Sequence, residues 1–221
     1  MTDITAHHAV ASTLGEQVAS WEARVKDARR KGDPCQTTAI AAAAADAIEH
    51  QVKVLANPTQ DETRALKAVQ RFTYNASADA WPGWQQVEDG SLDRPTLVAA
   101  KRLAIHSAEL VDTLQLGAVH QGTGAWLVAA FDLALGRLED ALAGFSISTQ
   151  RYRAANAPGL VLLAQGYSAI AKGLLNQHSR EAITKDLGAI FAQISSGGYE
   201  DGTEWIQQLE TALGVFSLHV D

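Results

Sequence analysis

The side chains that could carry out chemistry are seven histidines, one cysteine and the carboxylates near them. The histidines do not occur in the His-Glu-x-x-His or Glu-x-x-His patterns that place metal ligands on one helical face. A metal site could still form if the fold brought distant ligands together. The sequence offers His106, Glu109 and His120 for such a site, so a small-ligand or metal-binding enzyme or sensor remains the alternative interpretation.

Two other short patterns favour structural interpretations. Asp46, Glu49 and His50 share one helical surface, and we interpret them as a solvated polar face. Gly122-Thr123-Gly124 is a fragment of a glycine-rich phosphate loop without its lysine. Its glycines are predicted to let the chain turn before Trp126. No catalytic residue, metal or cofactor is therefore predicted from these patterns.

Cys35 follows Asp33-Pro34 in a predicted turn. With no second cysteine, an intramolecular disulfide is impossible, and the surrounding sequence does not show the electrostatic setting that a reactive thiol requires. A structural role is predicted.

Composition limits the possible functions further. The 221 residues carry 18 Lys plus Arg against 25 Asp plus Glu, a net charge of −7, which disfavours a nucleic-acid surface. Uninterrupted apolar runs such as residues 39–45 are far shorter than the roughly 20 residues needed to cross a bilayer. The start of the chain has no export signal, so a soluble, cytoplasmic protein without a membrane partner is expected.

Apolar residues recur at helical spacing through most of the chain. Thr59 with Glu62 forms a predicted capping box, and Asn57-Pro58 is predicted to end the preceding helix. In that helix we expect Ile40, Ala43, Ala47 and Val54 to face inward. The predicted helices cover about 14–31, 37–55, 59–77, 96–117, 122–135, 138–152, 158–175, 180–194 and 205–216.

Two tryptophans, Trp81 and Trp84, flank Pro82-Gly83 in the longest predicted loop, which runs to Asp93. Such a segment could cap the core or present a rigid aromatic platform to a ligand. Both interpretations remain open at the level of sequence, with packing favoured.

The run from Leu135 to Phe145, LGRLEDALAGF, resembles the turn and second helix of a tetratricopeptide repeat. In that family a small residue closes the first helix, an alanine packs at the helix crossing and an aromatic fills the core. Gly136, Ala141 and Phe145 match those roles. Asp132 departs from the pattern, because it stands where an aromatic is usual.

The resemblance implies an all-α fold, a right-handed stack of helical hairpins in a tetratricopeptide-like superhelix. We expect a single domain over residues 1–221, with an N-terminal hairpin over 1–58 and a hairpin interrupted by the tryptophan-rich loop over 59–117. Two tetratricopeptide-like hairpins follow over 118–196, and a capping helix over 197–221 covers the end of the stack.

This architecture predicts a noncatalytic scaffold that binds a protein or peptide. The first expected contact residues are Trp81 and Trp84 of the tryptophan-rich loop. Trp126, Gln165 and Tyr167 follow, because they lie on predicted first helices of hairpins, which line the concave side in the family resembled. The acidic balance favours a basic partner. A homodimer is possible, since incomplete repeat stacks leave apolar ends.

Overall fold

The computed structural model describes residues 13–52, 59–84 and 93–217. These residues form nine α-helices and one short 3₁₀ turn, without a strand among them, so the prediction of an all-α fold is confirmed. None of the described helices is both long enough and apolar enough to cross a membrane.

The helices are α1 Leu14–Lys31, α2 Pro34–Val52, α3 Gln60–Asp79, α4 Arg94–Thr113, α5 Ala118–Ala134, α6 Leu138–Ala154, α7 Pro158–Leu175, α8 Arg180–Ser196 and α9 Gly202–Phe216. Each of α1 to α8 packs on the next, as in a stack of hairpins. The 3₁₀ turn Pro82–Trp84 follows α3, and α9 packs on this turn as well as on α7 and α8.

Local chemistry explains where several helices begin. Thr13 and Thr59 each form a capping box, with Glu16 and Glu62 respectively, so each first turn has partners for its backbone N–H groups. The second of these boxes was predicted from the sequence.

The start of α2 corrects a prediction. The carboxylate of Asp33 accepts a hydrogen bond from the N–H of Gln36 at 2.9 Å, and Pro34 occupies the first helical position. Cys35 is therefore an exposed residue in the first turn of a helix and does not lie in a turn between helices.

The glycines before Trp126 also differ from prediction. Gly122 and Gly124 are buried inside α5, and the turn before this helix is made by Gly117 at φ 94°. A Cβ at Gly122 would lie 2.7 Å from the ring of Tyr152, and one at Gly124 would lie 3.1 Å from the Cβ of Ala108. These glycines permit close helix packing rather than a turn.

Two groups of buried apolar residues form the core, and α4 contributes to both. Leu103 and Leu110 belong to the N-terminal group with residues of α1, α2 and α3. Leu97 and Ala104 belong to the C-terminal group, which extends through α5, α7 and α9. Helix α4 thus joins the two halves of the molecule.

Candidate functional site

The tryptophan turn, defined here as residues 81–84, lies at the centre of an aromatic cluster. The ring centroid of Trp81 is 5.5 Å from Trp126 on α5 and 5.5 Å from Tyr167 on α7. It is 6.1 Å from Phe216 on α9. The two closer pairs are tilted by 67°, the edge-to-face arrangement that aromatic rings favour. One side chain therefore connects three helices that are distant in sequence.

The polar atoms of this cluster have different environments. The hydroxyl of Tyr167 accepts a hydrogen bond of 2.8 Å from the side-chain amide of Gln208, and burial raises the pKa of this phenol well above its ordinary value. The indole N–H groups of Trp81 and Trp126 are buried without an acceptor among the described residues. Leaving them unpaired costs free energy, which the aromatic contacts must offset.

The five predicted contact residues differ in their exposure to solvent. Trp81, Trp126 and Tyr167 are 2%, 4% and 0% exposed, so they are core residues. Gln165 is half-buried on α7. Trp84 is 44% exposed, and it alone of the five offers a large apolar surface to solvent.

Trp84 is held at the surface in a defined orientation. Its indole N–H donates a hydrogen bond of 2.6 Å to the carbonyl of Ala78 near the end of α3, and its ring lies 5.3 Å from Trp81 in a nearly perpendicular arrangement. The buried ring of Trp81 therefore anchors the exposed ring of Trp84. An aromatic surface fixed in this way loses little entropy on binding.

Trp84 borders a cavity of about 910 Å³, hereafter the basic cavity. The basic cavity lies between the second half of α1, the start of α2, the end of α3 and the tryptophan turn. Its lining residues are Lys26, Arg29, Arg30, Gly32, Asp33, Pro34, Thr37, Asn75, Ala78, Asp79, Trp81, Pro82 and Trp84. Its volume lies within the range of roughly 300–1,000 Å³ typical of binding pockets.

Both carboxylates of the basic cavity are already engaged. Asp79 accepts two hydrogen bonds from the guanidinium of Arg29, one of them 2.9 Å long, and this pairing raises the pKa of Arg29. Asp33 caps α2 through the N–H of Gln36. The lining therefore offers cations, an indole surface and a threonine, while its potential general bases are occupied by structural hydrogen bonds.

The predicted metal ligands do not converge. The Nε2 atom of His106 lies 2.7 Å from a carboxylate oxygen of Glu49 on α2, and its Nδ1 atom lies 3.9 Å from Glu109. The exposed His120 instead lines a separate cavity of about 330 Å³ between α3, α4 and α5. Within the described ranges, no three His, Cys, Asp or Glu side chains are placed to hold a metal ion.

Two charged features of the molecule, one in the basic cavity and one outside it, were missed from the sequence. The basic side of α1 had a visible signal, because Lys26, Arg29 and Arg30 are spaced to share one helical face. The ion pair of Lys101 with Asp132 joins α4 to α5, with side chains only 14% and 6% exposed. The sequence feature that could have indicated this ion pair is Asp132, which stands where the repeat pattern has an aromatic residue.

The fold and the site define an all-α protein built of consecutive helix pairs, with a basic cavity and an exposed tryptophan at its edge. No protein-family model, curated protein or solved structure matches this chain. The resemblance to tetratricopeptide repeats is therefore carried by the residues of one hairpin alone. In that hairpin Gly136 has φ 74°, and Ala141 and Phe145 are fully buried.

Proposed function

We propose that this protein is a noncatalytic, tetratricopeptide-like scaffold that holds a segment of a partner protein in the basic cavity against Trp84. The observation that carries this proposal is the arrangement of the tryptophan turn, in which a buried indole fixes an exposed one beside a cavity of about 910 Å³. Tryptophan is one of the three residue types, with tyrosine and arginine, that are enriched among the few residues that dominate binding energy at protein interfaces.

Binding rather than catalysis is supported by the chemistry of the lining. Acid–base catalysis needs a group free to take a proton from a substrate. Asp79 is held by Arg29, and Asp33 is held by the backbone of α2. The hydroxyl of Thr37 donates to the carbonyl of Asp33 at 2.8 Å, so it too has a structural partner.

The test is capture of partners from a native lysate, followed by mass spectrometry, with the wild-type protein and three variants. Trp84→Ala removes the exposed ring and should lose a partner that the wild type captures stoichiometrically. Trp84→Phe keeps an aromatic surface without the hydrogen bond to Ala78, and it should retain most of the capture.

The matched control is Ile147→Ala on α6, which removes an apolar side chain of similar exposure, 50%, on a different helix. This variant should capture the partner as the wild type does, and circular dichroism should show that all variants keep their helical content. A partner retained by Trp84→Ala would refute the proposed contact surface. The search would then turn to small molecules in the 330 Å³ cavity that His120 lines.

A further inference from the structure

We propose that the segment held in the basic cavity is acidic, with carboxylates that pair with Lys26 and Arg30. This inference rests on the proposed function, and it specifies the chemistry of the partner. It also reverses the expectation of a basic partner, which came from the net charge of −7. Contact specificity depends on the charges that line the site, whereas net charge acts mainly on long-range attraction.

The cations of the cavity come from one face of α1. Lys26, Arg29 and Arg30 are separated by three and four residues, so their side chains project from the same side of the helix towards the cavity. Of these three, Arg29 is neutralised by Asp79. The cations left for a ligand are Lys26 and Arg30, and together they exceed the single negative charge of Asp33, whose partner is the backbone N–H of Gln36.

Lys26 has no hydrogen-bond or ion-pair partner within the part of the chain that the structure describes. It lies before the last turn of α1, whose basic residues are Arg29, Arg30 and Lys31. Basic residues in a last turn are explained by their attraction to the negative end of the helix dipole. That explanation does not extend to Lys26. Its side chain is exposed and lines the cavity, so its ammonium group can pair with a carboxylate of the ligand.

Arg30 is only partly compensated. Its guanidinium lies 2.9 Å from Asp27, but the ammonium group of Lys31 lies 2.9 Å from the same carboxylate. One carboxylate therefore serves both cations, and the hydrogen bonds from Lys31 and Arg30 lower the pKa of Asp27. Since the side chain of Arg30 is 70% exposed, it can turn to a ligand carboxylate without breaking a buried contact.

A nucleic acid is a poorer occupant than an acidic peptide. Phosphate backbones are bound by series of cations along a groove, and affinity increases with the number of phosphates neutralised. Here two available cations adjoin an exposed indole, an arrangement that suits a short segment with carboxylates around an apolar side chain. A basic segment would place like charges together in the cavity, which opposes binding.

The test uses two acetylated, amidated hexapeptides, one alternating glutamate with leucine and one alternating lysine with leucine. Titration of the full-length protein is followed by tryptophan fluorescence at low and high salt. We expect the glutamate peptide to bind more tightly and its affinity to fall with salt. Lys26→Gln with Arg30→Gln should weaken its binding about three- to tenfold, as expected for two exposed ion pairs.

The matched control is Lys185→Gln with Arg153→Gln, which makes the same change in net charge on exposed residues of other helices. It should bind the glutamate peptide like the wild type. Equal binding of the two peptides, binding of neither, or an unchanged affinity in the Lys26 and Arg30 variant would overturn the inference.

The same variants separate this inference from the proposed function. If Trp84→Ala loses the natural partner while Lys26→Gln with Arg30→Gln retains it at every salt concentration, the docking surface is correct and the acidic partner is wrong. If Trp84→Ala retains the partner, the docking surface itself is wrong.

Discussion

Single residues decide how the tryptophan turn is built, and Gly83 is the clearest example. A Cβ at this position would lie 2.0 Å from the ring of Trp81. That ring cannot move away freely, because Trp126 and Tyr167 pack against it. Glycine is required here by space, since its φ lies outside the left-handed region.

We predict that Gly83→Ala destabilises the protein by about 1–3 kcal/mol, the usual cost of forcing an extra methyl group into a packed core. The matched control is Gly188→Ala, where the new Cβ meets nothing within 4 Å on the exposed side of α8. That change should stabilise the protein by up to about 1 kcal/mol, because alanine favours helix more than glycine does. Urea denaturation followed by circular dichroism measures both, and equal effects of the two substitutions would contradict the packing argument.

His106 is expected to make the stability of the fold depend on pH. Its pKa is raised above the ordinary value of 6.5, chiefly by the hydrogen bond to Glu49, and further by the charges of Glu49, Glu109 and Asp46. A raised pKa in the folded state means that protonated His106 stabilises the fold. This contribution is fully present below pH 6.5 and is lost as the pH rises through the pKa of the folded protein.

We therefore predict that the wild type loses stability relative to His106→Asn when the pH rises from well below 6.5 to well above the folded-state pKa. Glu49→Gln, which removes the main cause of the shift, should flatten the same curve. The measurement is the free energy of unfolding in urea across this pH range. A histidine variant that keeps the full pH dependence of the wild type would show that another group is responsible.

At the scale of elements, the contact between α4 and α5 depends on a nearly buried ion pair. The ammonium of Lys101 pairs with the carboxylate of Asp132, and the exposed guanidinium of Arg137 lies 4.0 Å from the same carboxylate. Two opposite charges that are removed from water offset each other's loss of hydration when they pair, but either charge left alone destabilises the fold strongly.

We expect Asp132→Ala to destabilise the protein by about 3–5 kcal/mol, because it leaves Lys101 buried and unpaired. The double variant Lys101→Met with Asp132→Leu should recover most of that loss, since it removes both charges and keeps apolar volume. The exposed pair of Arg64 with Asp61 is the control, and Arg64→Ala should change stability by less than about 0.5 kcal/mol. Additive effects at Lys101 and Asp132 in urea denaturation would show that the two side chains are not coupled.

Most helices could be predicted from periodicity and caps, but the inward face of α2 could not. Ile40, Ala43, Ala47 and Val54 were expected to face inward, and Val54 lies outside the residues that the structure describes. The structure buries residues 41, 44, 45 and 48, leaves Ile40 and Ala47 half-buried and exposes Ala43. A run of five alanines contains no alternation between apolar and polar residues, so it does not define which face is buried.

At the scale of the whole molecule, the fold differs from a linear repeat stack because α9, the last described helix, packs on the tryptophan turn between α3 and α4. Trp81 contacts Phe216, and α9 packs on the tryptophan turn. In a linear stack each unit contacts only its neighbours, so residues so far apart in sequence would not interact.

We predict that Trp81→Phe and Phe216→Ala are energetically coupled, with an interaction energy of at least about 0.5 kcal/mol in a double-mutant cycle. Trp81→Phe combined with Ile147→Ala should be additive, because Ile147 is an exposed residue on α6 without a ring contact to Trp81. Stabilities come from urea denaturation. Full additivity of the first pair would show that the side chains of Trp81 and Phe216 are not energetically coupled.

The candidate site was predictable only in part, because contacts between helices that are distant in sequence determine which of its residues are covered or neutralised. The tryptophan loop stood out from its composition, but its two indoles have opposite environments. Trp81 is covered because α5, α7 and α9 pack around its ring. The basic side of α1 was visible as a spacing, yet its meaning depends on Asp79 neutralising Arg29 from another helix. Contacts between residues fifty or more positions apart carry no signal in a single sequence.

The contact between Trp81 and Phe216 also limits how this chain could change its length during evolution. An open array can gain or lose a hairpin by duplication or deletion, since each unit needs only its two neighbours. A hairpin inserted between α6 and α7 would carry Tyr167 on α7 and Phe216 on α9 away from Trp81, and so remove two of the rings that pack against the anchor of Trp84. The number of helices between the tryptophan turn and α9 is thus set by geometry, and a lengthened homologue would need a different way to hold its surface tryptophan.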